Sequence, residues 1–212
     1  MITAIRTYLH SIKVVCPQVT QIALDYIESG LVVSKVSARE LYSSPNTMQK
    51  EVGFLYSGLI RVYYIDNFGN QISVKFIKEN EFATHFSAFI TENPTKYYFQ
   101  CIESSIIVKI PFSHIEAGYE TFPVLERYGR LVAEEALKIH HRRIEGFLFD
   151  TAEERYLKFM KEHPDLLERI SITNLASYLG VERQTLTRIR KRMTVTGLFD
   201  SRESIKTADL TP

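Results

Sequence analysis

Cysteine is scarce in this sequence. Cys16 and Cys101 are too few for a disulfide framework or a metal knuckle and read as plain buried thiols. No apolar run approaches the roughly 18 residues that a membrane span requires, so no membrane partner is expected. The opening stretch MITAIRTYLHSIKVV is amphipathic and has no small-residue cleavage site, so it does not read as a secretory signal and a cytoplasmic protein is expected. Internal repeats and low-complexity segments are absent. So are G-x-S-x-G, HExxH and a glycine loop that could cradle phosphate, which leaves catalysis without a motif. The histidines His10, His85, His114, His140, His141 and His163 are scattered, and the adjacent His140 and His141 point about 100° apart on a helix, which does not suit joint ligation of a metal. Neither a metal nor a cofactor is expected.

Charge of one sign is also missing, since the net charge is only +1. That average conceals a split. From Met1 to Leu148 there are 15 basic and 15 acidic side chains, whereas Ser171 to Lys206 carries Arg183, Arg188, Arg190, Lys191, Arg192, Arg202 and Lys206 against Glu182, Asp200 and Glu203. Positive charge concentrated at one end is the footprint of a polyanionic partner.

With 212 residues, the chain is long enough for a medium domain plus a small one. Residues Ile2 to Ser29 carry apolar positions at three- and four-residue spacing and predict two short helices broken at Pro17, covering a sheet edge. From Leu31 to Pro111 the pattern changes to short β-branched and aromatic runs (LVVSKV, GFLYSGLIRVYYI, QISVKFI, YYFQCI, SIIVKI), which predict an antiparallel β domain. Asp66-Asn67-Phe68-Gly69-Asn70 reads as a hairpin loop and Gly58 as a turn or bulge.

From about Pro123 to Phe149 helix formers dominate, predicting one long helix. Leu125, Tyr128, Val132, Glu135, Ile139 and Arg142 follow alternating steps of three and four, a stripe suited to pairing two chains. A helix of roughly 25 residues runs to about 40 Å, more than a small β domain needs covered. The competing reading is packing on the chain's own sheet. Three further helices are predicted over Thr151 to Lys161, Ile172 to Gly180 and Arg183 to Met193. The resulting partition is 1–122, a β domain; 123–149, a long helix that could pair two chains; and 150–212, a small helical domain.

The most informative stretch is ITNLASYLGVERQTLTRIRK, Ile172 to Lys191, two amphipathic helices joined by a tight turn. Ala176 is small where the helices must approach, and Gly180 supplies a left-handed turn residue. Leu175, Leu179, Val181, Leu186 and Ile189 close a small core. Arg183, Gln184, Thr187, Arg188 and Lys191 then face outward, as a helix that reads the major groove of double-stranded DNA requires. Arg183 is placed for guanine, Gln184 for adenine, Arg188 for a base or a phosphate, and Lys191 and Arg192 for phosphates. Thr173 is expected to cap the first of the two helices, with its amides available to a phosphate.

This order of parts resembles the CRP/FNR family of bacterial transcription regulators over nearly the whole chain. The most specific pieces are the run Gly53 to Tyr63 (GFLYSGLIRVY), Thr151-Ala152-Glu153-Glu154-Arg155 and the run Gly180 to Arg188 (GVERQTLTR). The resemblance implies an α+β fold: an antiparallel β-roll (double-stranded β-helix) sensor domain, a dimerising helix and a C-terminal winged helix-turn-helix. It also implies a homodimer on a near-palindromic operator, a small-molecule effector and RNA polymerase as a partner. Many members open the reading helix with Arg-Glu-Thr, and here Arg183-Gln184-Thr185 departs at Gln184. Glu182 stands where a capping Ser or Thr is usual. Members that bind cyclic AMP carry a Gly-Glu pair followed by Arg and then Ser or Thr. This chain instead reads Glu81-Phe82-Ala83-Thr84-His85-Phe86-Ser87 and then Pro94-Thr95-Lys96-Tyr97-Tyr98, so cyclic AMP is not expected in the usual mode. Thr84, His85, Ser87, Lys96 and Tyr97 are the candidate effector residues, with Lys96 the only nearby cation and lacking the planar fork of arginine. The family's iron–sulfur branch needs four cysteines and is ruled out. Two alternatives stay open: a sensor domain that binds a protein partner through aromatics such as Phe86, Phe89, Tyr97, Tyr98 and Phe99, and a cupin-like metal enzyme.

Overall fold

A computed structural model describes residues 1–91 and 93–195, with only the backbone described at 87, 89, 194 and 195. Helices α1 (Ile2–Val15) and α2 (Gln21–Ser29) separate around Pro17, and Thr20 starts the second by accepting from the Ala23 N–H at 3.2 Å. Seven strands follow: β1 (Val32–Val36), β2 (Leu41–Ser43), β3 (Glu51–Ser57), β4 (Ile60–Ile65), β5 (Gln71–Ile77), β6 (Tyr98–Cys101) and β7 (Ser105–Pro111). They form two antiparallel sheets, ordered β1-β7-β3 and β2-β6-β4-β5. Helix α3 (Phe86–Thr91) lies between β5 and β6, and α4 (Phe112–Thr121) follows β7. The short strand β2 and both of these helices carry too little periodicity to be foreseen.

Alternation along β3 and β7 builds two cores. Leu55 and Ile107 turn toward Ile60, Val62, Ile77, Phe99 and Cys101 of the other sheet. Phe54, Val108 and Ile110 turn the opposite way, onto Tyr8 and Ile12 of α1 and Leu24 and Ile27 of α2. The N-terminal helices therefore cover a sheet face rather than the expected edge, because the three-stranded sheet exposes an apolar row there. Gly58 joins β3 to β4 at φ +110°, and a Cβ there would lie 2.4 Å from Ser105 Oγ. The hairpin after β4 closes on Asp66, whose Oδ1 accepts from the Phe68 and Asn70 N–H groups at 2.8 Å each.

Helix α5 (Pro123–Phe149) is continuous, yet the chain divides within it into two compact units, Met1–Arg143 and Ile144–Pro212. Residues of the long helix fall in both units. In the second unit, α6 (Ala152–Glu162), a 3-10 turn (Pro164–Leu166), α7 (Ile172–Leu179) and α8 (Arg183–Val195) enclose Tyr156, Phe159, Leu166, Leu175, Leu179, Leu186 and Met193. The expected wing falls at 196–212, outside the described residues. Among the described residues no helix is long and apolar enough to cross a membrane, and no group of three or more His, Cys, Asp or Glu is placed to hold a metal ion.

Candidate DNA-binding interface

The turn between α7 and α8 follows from two small residues. Gly180 adopts φ 68°, ψ 37°, its N–H donates to Ser177 O at 3.2 Å, and Val181 N–H donates to Ala176 O at 3.0 Å. This pair of bonds is a Schellman ending, which only a residue at ease in the left-handed region supplies cheaply. Ala176 is buried in the angle of the turn, and Leu175, Leu179, Leu186 and Ile189 pack around it, with Val181 half-buried. Helix α7 starts at Ser171, whose Oγ accepts from Asn174 N–H at 3.2 Å. The expected cap at Thr173 is thereby corrected: Thr173 is an exposed residue of the first turn, because Ser171 offers an equivalent hydroxyl two residues earlier. At α8, Glu182 stands at the N-cap position, and its carbonyl accepts from Leu186 N–H at 3.1 Å.

Helix α8 has two opposite faces. Leu186, Ile189 and Met193 are buried, while Arg183, Gln184, Thr187, Arg188 and Lys191 are all exposed. Steps of about 100° per residue put the centres of these two sets nearly diametrically apart. Arg188 also donates to Thr185 Oγ1 at 3.3 Å, and the Thr187 hydroxyl donates to Arg183 O at 2.9 Å. Arg192 is different. Itself exposed, it ion-pairs with Glu153 in the first turn of α6, on the flank of α8.

A feature the sequence reading missed is the tie at the base of this domain. Thr151 and Glu154 form a reciprocal capping box at the start of α6. Arg155, next in line, donates from Nε to Leu179 O at 3.0 Å and from a terminal nitrogen to Asp150 O at 2.7 Å, and it lies over the Phe147 ring at 5.1 Å. One guanidinium thus satisfies carbonyls that follow α5 and end α7, where helix dipoles favour a cation. The run Thr151 to Arg155 already held the signal, but the partners of Arg155 are remote in sequence.

The candidate effector residues of the first unit do not form a single polar cluster. Thr84 is buried and its Oγ1 accepts from Gly53 N–H at 3.2 Å, which makes it a strut between segments. His85 is half-buried: its backbone N–H donates to Gln49 Oε1 at 2.7 Å, its Nδ1 accepts from Ala88 N–H at 3.2 Å, and its ring lies 4.9 Å from that of Tyr97. Lys96 is exposed, and the side chain of Ser87 lies outside the described residues. Lys75, not foreseen, pairs in register with the inward-facing Val62. Burial holds Lys75 below the ordinary lysine range, against the opposing pull of Glu81. Burial likewise lowers His140, with Lys75 and Arg143 adding to the effect, so Lys75 and His140 are electrostatic neighbours.

The expected dimerisation stripe divides. Leu125 and Tyr128 are buried in their own chain's core, and Val132 packs against it. Glu135, Ile139 and Arg142 are exposed, with Glu135 ion-paired to Arg142 and Lys138 at 3.4 Å each. The first three positions are taken up by the chain's own core, which α1 and α2 share with the sheet.

Sheets, long helix and helix-turn-helix together give the fold of the CRP/FNR family of transcription regulators. Solved structures that share it include the c-di-GMP responsive global regulator CLP of Xanthomonas campestris, with 14% identity over 84% of this chain and 94% of that one and a TM-score of 0.67. A CooA mutant from Carboxydothermus hydrogenoformans is 19% identical over 85% of this chain and 81% of its own, with a TM-score of 0.64. A protein of Eubacterium rectale assigned to the crp/fnr family is 16% identical, over 86% and 87% of the two chains, with a TM-score of 0.67. No family profile and no curated protein sequence matches the chain.

Proposed function

We propose that this chain is a DNA-binding transcription regulator. Two copies pair and present their α8 helices, about 34 Å apart, to successive major grooves of a near-palindromic operator. One observation carries the reading: five polar or cationic residues, Arg183, Gln184, Thr187, Arg188 and Lys191, are exposed together on the side of α8 opposite its buried stripe. A structural helix has no need of that composition. A reading helix needs polar and cationic side chains exposed on the side turned away from its own domain. Arg183 and Gln184 are assigned to base edges, Arg188 to a base or phosphate, and Lys191 and the first-turn amides of α7 beside Thr173 to phosphates.

The β domain acts as the sensor for a small-molecule effector that is not cyclic AMP in its usual mode. The exclusion of the usual cyclic AMP mode is supported by Lys96, which is exposed, and by Thr84, whose hydroxyl is engaged by Gly53. The test is selection of genomic fragments by the purified protein at a stated salt concentration, beside an Arg183→Ala, Arg188→Ala double variant. An inverted repeat recovered by the wild type and lost by the variant supports the reading. Sequence-blind binding that is equal in both proteins would sink it.

A further inference from the structure

Arg192 is an exposed residue one turn after Arg188 on the edge of the exposed face of α8, and it reaches another helix of the same domain. Relative to the buried stripe of Leu186, Ile189 and Met193, steps of about 100° per residue place Arg190 on one flank and Arg192 on the other. Both reach α6. Arg190 hydrogen-bonds the hydroxyl of the buried Tyr156, and Arg192 ion-pairs with Glu153, three residues earlier on α6. The two contacts tie the flanks of α8 to one side of α6.

The second tie differs from the first in exposure. The side chains of Arg192 and Glu153 are 62% and 37% exposed, so the pair adds little to folding stability. What it does fix is where a long, charged and otherwise rotamer-rich side chain points. A guanidinium on the flank of a groove-reading helix, if released, is positioned to bind a phosphate, a contact that carries no sequence information.

We propose that Glu153 is a specificity-determining residue: by holding Arg192 against α6, it keeps a sequence-blind phosphate contact out of the DNA interface. The direct cationic contacts of α8 are then left to Arg183, Arg188 and Lys191. This inference rests on the DNA-binding reading above, and it removes Arg192 from the phosphate contacts that the sequence suggested.

Salt dependence tests it, because each phosphate contact contributes about 0.9 to the slope of log K against log salt. The full chain is titrated with the selected fragment and with a random duplex of equal length, for the wild type and for Lys191→Gln, Arg192→Gln, Glu153→Ala and the Glu153→Ala, Arg192→Gln double variant. Lys191→Gln is the control and flattens the slope by about 0.9 per chain. Arg192→Gln leaves the slope unchanged. Glu153→Ala steepens it by about 0.9 per chain, tightens random-duplex binding a few-fold and lowers the preference for the selected fragment. The double variant returns to the wild-type slope.

Three results overturn the proposal. A flatter slope in Arg192→Gln alone would mean that Arg192 already holds a phosphate. An unchanged slope in Glu153→Ala would mean that Glu153 restrains nothing. A gain from Glu153→Ala that persists in the double variant would trace to general charge and not to Arg192. If the wild type binds neither duplex at low salt, the DNA-binding reading itself falls and takes this inference with it, an outcome distinct from the other three.

Discussion

The ring of Phe147 lies against Gly180, so closely that a Cβ on the glycine would fall 2.7 Å from Phe147 Cε1. The end of the long helix is thereby packed onto the turn between α7 and α8. Glycine is required there twice over, once for this approach and once for its φ of +68°. Gly180→Ala is expected to cost at least the ~1–2 kcal/mol of a left-handed non-glycine residue, plus the displacement of Phe147. Adding Phe147→Ala should relieve the steric part but not the backbone part. Thermal unfolding of the single and double variants checks this. A Gly180→Ala protein as stable as the wild type would mean that the turn can adopt another conformation.

The start of α7 offers a cleaner comparison. Ser171→Ala removes the hydroxyl that accepts from Asn174 N–H and should cost about 1 kcal/mol of stability. Thr173→Ala, within the exposed first turn, should leave stability within about 0.5 kcal/mol of the wild type. Denaturant midpoints at constant slope measure both. Equal losses would put Thr173 back among the capping residues.

These two sites show where sequence reading succeeded and where it failed. The helix-turn-helix was legible because a helical period, a small residue and a glycine each impose a constraint at a fixed offset. The choice between Ser171 and Thr173 was not, since two hydroxyls two residues apart offer the same chemistry and only the backbone decides. Lys75 was hidden for another reason. Simple alternation along QISVKFI sets Lys75 with the polar Gln71 and Ser73, but the register shifts between Val62 and Tyr63 and brings Lys75 opposite the inward Val62. The same shift sets Phe76 opposite Arg61, and both are buried on the other face. No pattern in a single strand reports a bulge in its pairing.

His85 should make stability depend on pH. Burial, and secondarily the charge of His140, hold its imidazole below the ordinary histidine range. Its Nδ1 must also be unprotonated to accept the Ala88 N–H. A depressed folded value means that the unfolded chain takes up the proton first. The contribution is therefore fully present above the ordinary histidine value of about 6.5 and is lost as pH falls toward the lower folded value. His85→Asn keeps an acceptor, Oδ1, close to the position of Nδ1 but cannot titrate. Between about pH 7.5 and pH 5.5 the wild type should lose more stability than His85→Asn. Parallel losses in the two proteins would assign the dependence elsewhere.

In the proposed dimer, the face of α5 that would pair two chains can be separated from the face that folds one. Tyr128 is buried beside Leu125 and hydrogen-bonds Tyr8, so Tyr128→Ala should cost about 3 kcal/mol or more of folding stability. Leu137, by contrast, is 69% exposed, and exposed apolar residues recur seven and eleven positions later at Ile144 and Leu148. That repeat has the spacing of a two-helix seam. Ile139, at 48% exposed, lies two residues from Leu137 and so on nearly the opposite side of the helix, about 200° away. Leu137→Asp should convert a dimer into a folded monomer, whereas Ile139→Asp should leave the dimer intact, as read by sedimentation at fixed concentration. The reverse result would return the seam to the stripe of Glu135, Ile139 and Arg142. A monomeric wild type would remove the need for a seam and, with it, the expectation of an operator with two half-sites.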